Sequence, residues 1–323
     1  MSALRVAILD DYQSAAFKSA DWSSIKQRVS VDVFSDTIAD EDLLVKRLAE
    51  YHIVCAMRER TKFPQSLMDR LPNLRLIATT GMKNRAIDTE YAKKKGIIVL
   101  GTTGGSASTL EHIWAMILAT VRHIVTEHAN IKAKNPQWQT LVPTGLSGKT
   151  LGLIGVGRLG AQTATIAKAF NMKVLGWSPN FTPERAAQAG VGYAATKADL
   201  LQQSDIVSLH IVLSESTRHI IGASDFALMK PTAYIINTSR GPLIDEDALL
   251  AVLRVKAIAG GALDVYDKEP LPLDHALRQL DNVTLSPHNG YANDTSYEIF
   301  WEQTVENIAD FLDGKVKPQR ILE

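Results

Sequence analysis

Apolar runs rich in β-branched residues alternate with stretches of helical period over the first hundred positions. RVAIL, VDVF, HIVCAM, LRLIAT and IIVL read as strands. Between them EDLLVKRLAE, FPQSLMDRL and DTEYAKKKG read as helices, the last closed by Gly96 as a C-terminal cap. Strands spaced by helical patterns predict βαβ units and a parallel sheet. Residues 102 to 125 predict one long helix, opened by GTTGGSAS, with an apolar face of Ile113, Trp114, Ile117, Leu118 and Val121. HANIKAKNPQWQT then lacks core periodicity and reads either as an arm over another subunit or as a solvated connection. From Thr150 the alternation restarts: TLGLIG, KVLGW, DIVSLH, AYIINTS, AIAGGALDV and NVTLSPH are strands with a helix expected between most of them. SYEIFWEQTVENIADFLDG is a final amphipathic helix ending at Gly314. The pattern predicts an α/β chain of two doubly wound halves joined by a long helix, with no short-period repeat.

A length of 323 residues favours two domains over one. Lys plus Arg and Asp plus Glu both number 35. That balance removes the bulk electrostatic reason to expect nucleic acid or an anionic membrane as partner. The single cysteine, Cys55, lies in HIVCAM and reads as a buried small hydrophobe in a reducing compartment. MSALRVAILD is too short and too soon charged for a signal peptide, and HIWAMILATV is too short for a membrane span. A cytoplasmic protein is expected.

Between a strand and a helix stands GVGRLG, with glycines at Gly155, Gly157 and Gly160. The first permits a tight turn, the second lets backbone approach a pyrophosphate, and the third lets helix pack on strand. Phosphates would then lie over the helix N-terminus, with Arg158 and Leu159 in its first turn. The next strand ends at Ser178-Pro179-Asn180, where an NAD site normally offers a carboxylate to the ribose. No carboxylate repels a 2′-phosphate there, and no adjacent arginine grips one. NAD and NADP both stay open, with NADP slightly favoured.

Three polar residues follow three later strands: Arg240 after AYIINTS, Glu269 after ALDVYDK and His288 after NVTLSP. The carboxyl edge of an open parallel sheet is where ligands bind. A guanidinium, a carboxylate and an imidazole there can anchor an anion, orient a histidine and move a proton. His112, His123 and His128, on or near the long helix, read as structural. His210 ends a strand but reads as part of the adenine-side wall. No HExxH, cysteine cluster or other ligand spacing points to a metal.

With these motifs in place the chain resembles the D-isomer-specific 2-hydroxyacid dehydrogenase family. GKTLGLIGVGRLG is similar to its fingerprint, LMKPTAYIINTSRGPLIDEDAL to its arginine block, GGALDVYDKEPLP to its glutamate block and NVTLSPHNGY to its histidine block. The resemblance implies catalytic roles for Arg240, Glu269 and His288, and a contact of Asp264 with the nicotinamide carboxamide. It implies a Rossmann cofactor domain, residues 102–288, inserted into a flavodoxin-like substrate domain of residues 1–101 and 289–323. It also implies a homodimer. Thr109, Thr217, Thr238 and Ser239 complete the candidate cofactor contacts, beside Ser178, Asn180 and His210. Two departures stand out. Gly81 is followed by Met82, Lys83, Asn84 and Arg85 where the family has GxGxD, and Val212 replaces a proline.

On a 2-keto acid, Arg240 would hold the carboxylate and reach the carbonyl oxygen. His288 would give that oxygen a proton as hydride arrives, with Glu269 orienting the ring and favouring its charged form. Substrate choice is expected from the N-terminal half. Backbone N–H groups of Gly81, Met82 and Lys83 are candidate carboxylate donors, and Arg58 and Lys83 candidate sources of positive charge. The reading is an NAD(P)-dependent 2-keto acid reductase, of the glyoxylate or hydroxypyruvate type. Two others remain: a nicotinamide-responsive binding protein akin to corepressors, and a hydrolase using bound NAD transiently, for which the chain lacks the extra machinery.

Overall fold

The computed structural model describes residues 4–104 and 108–323. In chain order the first stretch holds β1 (Leu4–Ile8), α1 (Ala16–Ser19), β2 (Val29–Val33), α2 (Glu41–Leu48), β3 (Ile53–Ala56), α3 (Gln65–Asp69), β4 (Leu76–Thr79), α4 (Thr89–Lys94) and β5 (Ile98–Gly101). Next come α5 (Ser108–Val121), α6 (Ile124–Lys132), β6 (Thr150–Ile154), α7 (Arg158–Ala169), β7 (Lys173–Trp177), α8 (Pro183–Ala189), β8 (Gly192–Tyr193), α9 (Lys197–Gln203) and β9 (Ile206–Leu209). The chain continues with α10 (Ala223–Phe226), β10 (Tyr234–Asn237), α11 (Glu246–Arg254), β11 (Gly260–Leu263), β12 (Val283–Leu285) and α12 (Asp294–Leu312). It forms two compact units, Met1–Ser106 with Ala292–Glu323, and Ala107–Tyr291.

The first unit is a five-stranded sheet in the order β2-β1-β3-β4-β5, parallel throughout, which is the flavodoxin-like order. β3 and β4 are buried along their whole length, which is why IVCA and LIAT are continuous apolar runs rather than alternating ones. α12 belongs here because Tyr297, Phe300, Trp301, Val305 and Ile308 form a buried stripe, and the helix packs against α1, β4 and β5. Asn293 caps it by accepting from Ser296 N, so the helix begins abruptly after the polar YAN. Truncating Phe300 to alanine would cost about 3–5 kcal/mol.

The second unit is a seven-stranded parallel sheet, order β12-β11-β10-β9-β6-β7-β8. Strand order reverses between β6 and β9, so their carboxyl ends open a crevice at the switch point of a Rossmann sheet. Where one helix was expected between KVLGW and DIVSLH, there is α8, β8 and α9. Gly190, at φ +62°, ends α8, and a capping box at Thr196 restarts the helix. The two-residue strand between them is too short to leave a period.

The single helix expected over 102–125 is also corrected. α5 ends at Val121 and α6 begins at Ile124, because His123 takes a left-handed φ of +53° where the apolar stripe stops. Residues 105–107, part of the expected opening loop, lie outside the described residues. α5 is a core element of the second unit, packed on α7 and on β10, β11 and β12. α6 buries no side chain, and it leaves Ile124, Val125 and Ile131 exposed. The polar stretch is therefore helical in its first part and irregular from residue 133 to 149. Among the described residues no helix is long and apolar enough to cross a membrane, and no three His, Cys, Asp or Glu side chains are grouped to hold a metal ion.

Candidate active site

Between β6 and α7 the backbone turns through Gly155-Val156-Gly157. Gly155 has φ +97°, and a Cβ there would lie 2.8 Å from Ile211 N, so only glycine fits. A Cβ on Gly160 would lie 2.5 Å from Gly155 O, so this glycine lets α7 close on the turn. Gly157 differs: a Cβ would meet nothing within 4 Å. It is also the N-cap of α7 and supplies no side-chain bond, so the first N–H groups of that 12-residue helix are left for an anion. Tight turn, open approach and uncapped helix end fit a dinucleotide pyrophosphate. His210 lies beside this cradle, its Cβ 3.8 Å from where a Cβ of Gly160 would be. Its Nε2 is buried without a hydrogen-bond partner among the described residues, and burial pushes its pKa down to about 4. The ring is neutral at ordinary pH.

Arg240, Glu269 and His288 leave three neighbouring strands, β10, β11 and β12, at the same carboxyl edge. Buried Asn237 at the end of β10 shapes the first segment. Its Nδ2 donates to Arg240 O at 2.9 Å, and its Oδ1 accepts from Ser239 N at 3.1 Å. Ser239 Oγ donates to Leu209 O at 2.8 Å, tying the segment to the end of β9. Arg240 Nη1 donates to Ser239 O at 2.7 Å. Next to it, a Cβ on Gly241 would lie 2.1 Å from Tyr266 C, so the arginine segment packs directly on the backbone leading to Glu269. The two oxygens of Glu269 are divided. Oε1 accepts from Tyr266 N at 2.9 Å and Oε2 faces His288 Nδ1 at 2.6 Å. Both side chains are about one-third exposed or less, 28% for His288 and 33% for Glu269. With Nδ1 engaged, Nε2 is the nitrogen through which His288 can pass a proton.

A family model for the D-isomer specific 2-hydroxyacid dehydrogenase, NAD binding domain, matches residues 114–290. The chain belongs to the D-isomer specific 2-hydroxyacid dehydrogenase family. It is 37% identical to the glyoxylate reductase of Aeropyrum pernix, over 79% of this chain and 78% of that protein. The glyoxylate reductase of Thermococcus litoralis is likewise 37% identical, over 80% of each. Among solved structures, a phosphoglycerate oxidoreductase from Vibrio cholerae superposes with a TM-score of 0.90 at 34% identity, covering 96% of this chain and 99% of that one.

The family's nicotinamide cofactor accounts for the open cradle at Gly157, and the second unit arranges the other candidate contacts in several ways. Thr109 is in the first turn of α5, with its methyl 3.8 Å from a Cβ placed on Gly290. Thr217 closes its own turn: its hydroxyl donates to Val212 O at 2.7 Å and accepts from Ser214 N at 2.7 Å. Val212, where the family has proline, is exposed. Thr238 is half-buried between Asn237 and Ser239. Arg158 is exposed and Leu159 half-buried at the start of α7. Ser178 O accepts from Phe181 N, turning the chain back after β7. One expectation fails here. Arg185 Nη1 donates to Asn180 O at 2.9 Å, so an arginine does stand at this strand end. Thr182 caps α8, and the residue three positions into the helix points back across the turn.

Asp264, expected at the carboxamide, is turned inward. It is 1% exposed, and its oxygens accept from Ser286 Oγ, Asn289 N and Gly290 N, with His112 Nε2 at 3.0 Å. Burial alone would raise its pKa, but the bonds from His112 and Ser286 outweigh that and hold it below the ordinary carboxylate value.

In the first unit, Arg58 and Gly81 form one local structure. Arg58, at φ +51°, takes Thr80 Oγ1 on its N–H and donates from Nη1 to Thr80 O at 3.1 Å. A Cβ on Gly81 would lie 1.8 Å from Arg58 Nη1, so the glycine makes room for the guanidinium. Gly81 N already donates to Thr102 Oγ1 at 2.9 Å. The N–H that Gly81 is expected to offer to a carboxylate is thus engaged by Thr102. Sequence reasoning gave no role to Asn237 and Tyr266 and read His112 only as structural. Each acts on a partner more than two residues away in the chain, or on a backbone atom, and leaves no period or motif.

Proposed function

We propose that this protein is an NAD(P)-dependent reductase of small 2-keto acids to D-2-hydroxy acids, with glyoxylate and hydroxypyruvate the leading substrates. The observation that carries this is the Glu269–His288 pair at the carboxyl edge beside Arg240, in the same unit as the Gly157 cradle. Arg240 presents a planar, permanently charged fork suited to the substrate carboxylate and to its carbonyl oxygen. Glu269, held by Tyr266 N–H, accepts from Nδ1–H of His288, so the proton that the imidazolium can transfer is the one on Nε2, and Nε2 is left bare as the base once it has gone. His288 delivers that proton to the carbonyl oxygen as negative charge develops, and removes it in the reverse direction. Gly155, Gly157 and Gly160 and the first turn of α7 would hold the pyrophosphate of the dinucleotide, whose nicotinamide would supply the hydride. The stereochemical outcome, the D isomer, is proposed from family membership. The reading as a binding protein with little turnover is not favoured, since the acid–base pair is intact.

On the cofactor's ribose, Ser178, Asn180 and Arg185 support NADP over NAD. Ser178, Pro179 and Asn180 bring no carboxylate of their own, and the guanidinium at Asn180 is a ready partner for a 2′-phosphate. Arg58 and Lys83 are proposed to favour substrates with a second polar or anionic group. Exposed Ile124, Val125, Ile131, Trp138, Leu141 and Val142 support a homodimer built on this arm, and a cytoplasmic location completes the reading. The deciding experiment is a panel of small 2-keto acids assayed with NADH and NADPH in parallel. Oxidation of either cofactor with glyoxylate or hydroxypyruvate is the expected result, and inertness toward every acid in the panel would reject the assignment.

A further inference from the structure

His288 is held in an uncommon conformation by residues that do not touch it. Its φ is +55°, left-handed for a residue with a bulky side chain. The flanking positions are fixed on both sides by one carboxylate. Ser286 Oγ donates to Asp264 Oδ1 at 2.6 Å, Asn289 N to the same oxygen at 2.7 Å, and Gly290 N to Oδ2 at 2.9 Å. Asp264 follows β11, so the carboxylate pins the loop after β12 to its neighbouring strand. From α5, His112 Nε2 lies 3.0 Å from Asp264 Oδ1 and 3.0 Å from Ser286 Oγ. A Cβ on Gly290 would lie 3.6 Å from His112 Cδ2, so the ring also packs under the loop. Glu269 and Tyr291 flank His288, and Tyr266 lies close enough to feel the charge of Asp264.

We propose that His112 is a positioning residue for His288: it donates into the Asp264–Ser286 pair and so sets the left-handed loop that aims the catalytic ring at its substrate. On this account Asp264 acts on His288 through the loop it holds. The charge on Asp264 is what makes the device firm. A buried carboxylate with four donors resists rearrangement, because losing one donor leaves a desolvated charge short of a partner. The inference rests on the role assigned to His288 above.

The test compares the whole protein with its His112→Phe and His112→Gln variants. Phenylalanine keeps the ring and removes both nitrogens, whereas glutamine returns an N–H donor. One readout needs no turnover: the low-field Nδ1 proton of His288 in the isotope-labelled, cofactor-free protein. That resonance is expected in the wild type and the glutamine variant, and broadened or lost in the phenylalanine variant. The second readout is turnover of glyoxylate, expected to fall roughly a hundredfold in His112→Phe, with NADH affinity by fluorescence unchanged and most of the rate restored in His112→Gln. A wild-type resonance and rate in His112→Phe would overturn the proposal, as would equal losses in both variants. If His112→Phe does not fold, Ser286→Ala interrupts the same path, and wild-type behaviour there overturns it equally. Should the wild type reduce no keto acid, the resonance comparison still decides this inference separately from the reaction.

Discussion

Glu269 Oε2 and His288 Nδ1 are 2.6 Å apart, while the second oxygen of the glutamate is held by the N–H of Tyr266. Both oxygens of the carboxylate are thus engaged, and the part proposed for it is to orient and charge-balance the imidazole. Glu269→Gln keeps the shape and removes the charge. Turnover is expected to fall roughly a hundredfold while KM for the keto acid moves little, since the loss is felt as the proton transfers. Steady-state kinetics on glyoxylate measure both, and a loss confined to KM would assign Glu269 to substrate binding instead.

Two glycines three residues apart should respond oppositely to the same substitution. Gly157 has an ordinary φ of −89° and open space where a Cβ would go. Gly157→Ala should unfold within about 1 kcal/mol of wild type yet lose roughly tenfold or more in dinucleotide affinity, because the methyl fills the approach path. A Cβ on Gly160 instead meets Gly155 O at 2.5 Å. Gly160→Ala should destabilise by about 1–3 kcal/mol. Denaturant titration and NADH fluorescence separate the two effects. Equal destabilisation by both would show that Gly157 has a packing role.

His210 makes stability depend on pH in a definite direction. Burial lowers its pKa from 6.5 to about 4 in the folded chain. Above 6.5 both states are neutral and nothing changes. As pH falls from 6.5 towards 4, the unfolded chain takes a proton that the folded chain refuses, so stability is progressively lost. The full loss is on the order of 3 kcal/mol. His210→Asn should flatten the decline of unfolding free energy between neutral and mildly acidic pH, measured by urea titration. An unchanged slope would mean that His210 charges freely in the fold.

Arg185 gives the cofactor preference a direct test. Its guanidinium stands at Asn180 O, and Arg185→Ala removes the positive charge nearest that carbonyl among the contacts known there. NADPH affinity should fall roughly tenfold while NADH affinity holds. Parallel losses for both cofactors would locate Arg185 away from the 2′-position.

Much of the fold was legible because parallel sheets write themselves plainly. Central strands buried on both faces, such as IVCA and LIAT, become uninterrupted apolar runs, and glycine turns mark the ends of helices. β8 was not legible, since two residues carry no period. The break at His123 was missed because a left-handed histidine looks like any other helix residue in sequence. At the site, the residues proposed to carry the chemistry announced themselves by position after strands. The residues that aim them did not. Asp264 and His112 are 152 positions apart by number and meet only once α5 lies on β11 and β12. Arg185 was overlooked for a related reason: five positions beyond Asn180 in the chain, it is returned to the strand end by the turn at Phe181.

The most direct test of the whole account is cofactor oxidation with glyoxylate, followed by absorbance, for wild type and His288→Asn side by side. Asparagine tolerates the left-handed backbone of position 288, so the loop should stay folded while the acid is lost. Steady oxidation in the wild type, a fall of roughly a thousandfold in the variant, and equal cofactor binding in both are the expected results. A variant that turns over as fast as the wild type would contradict the assignment of His288 as the acid.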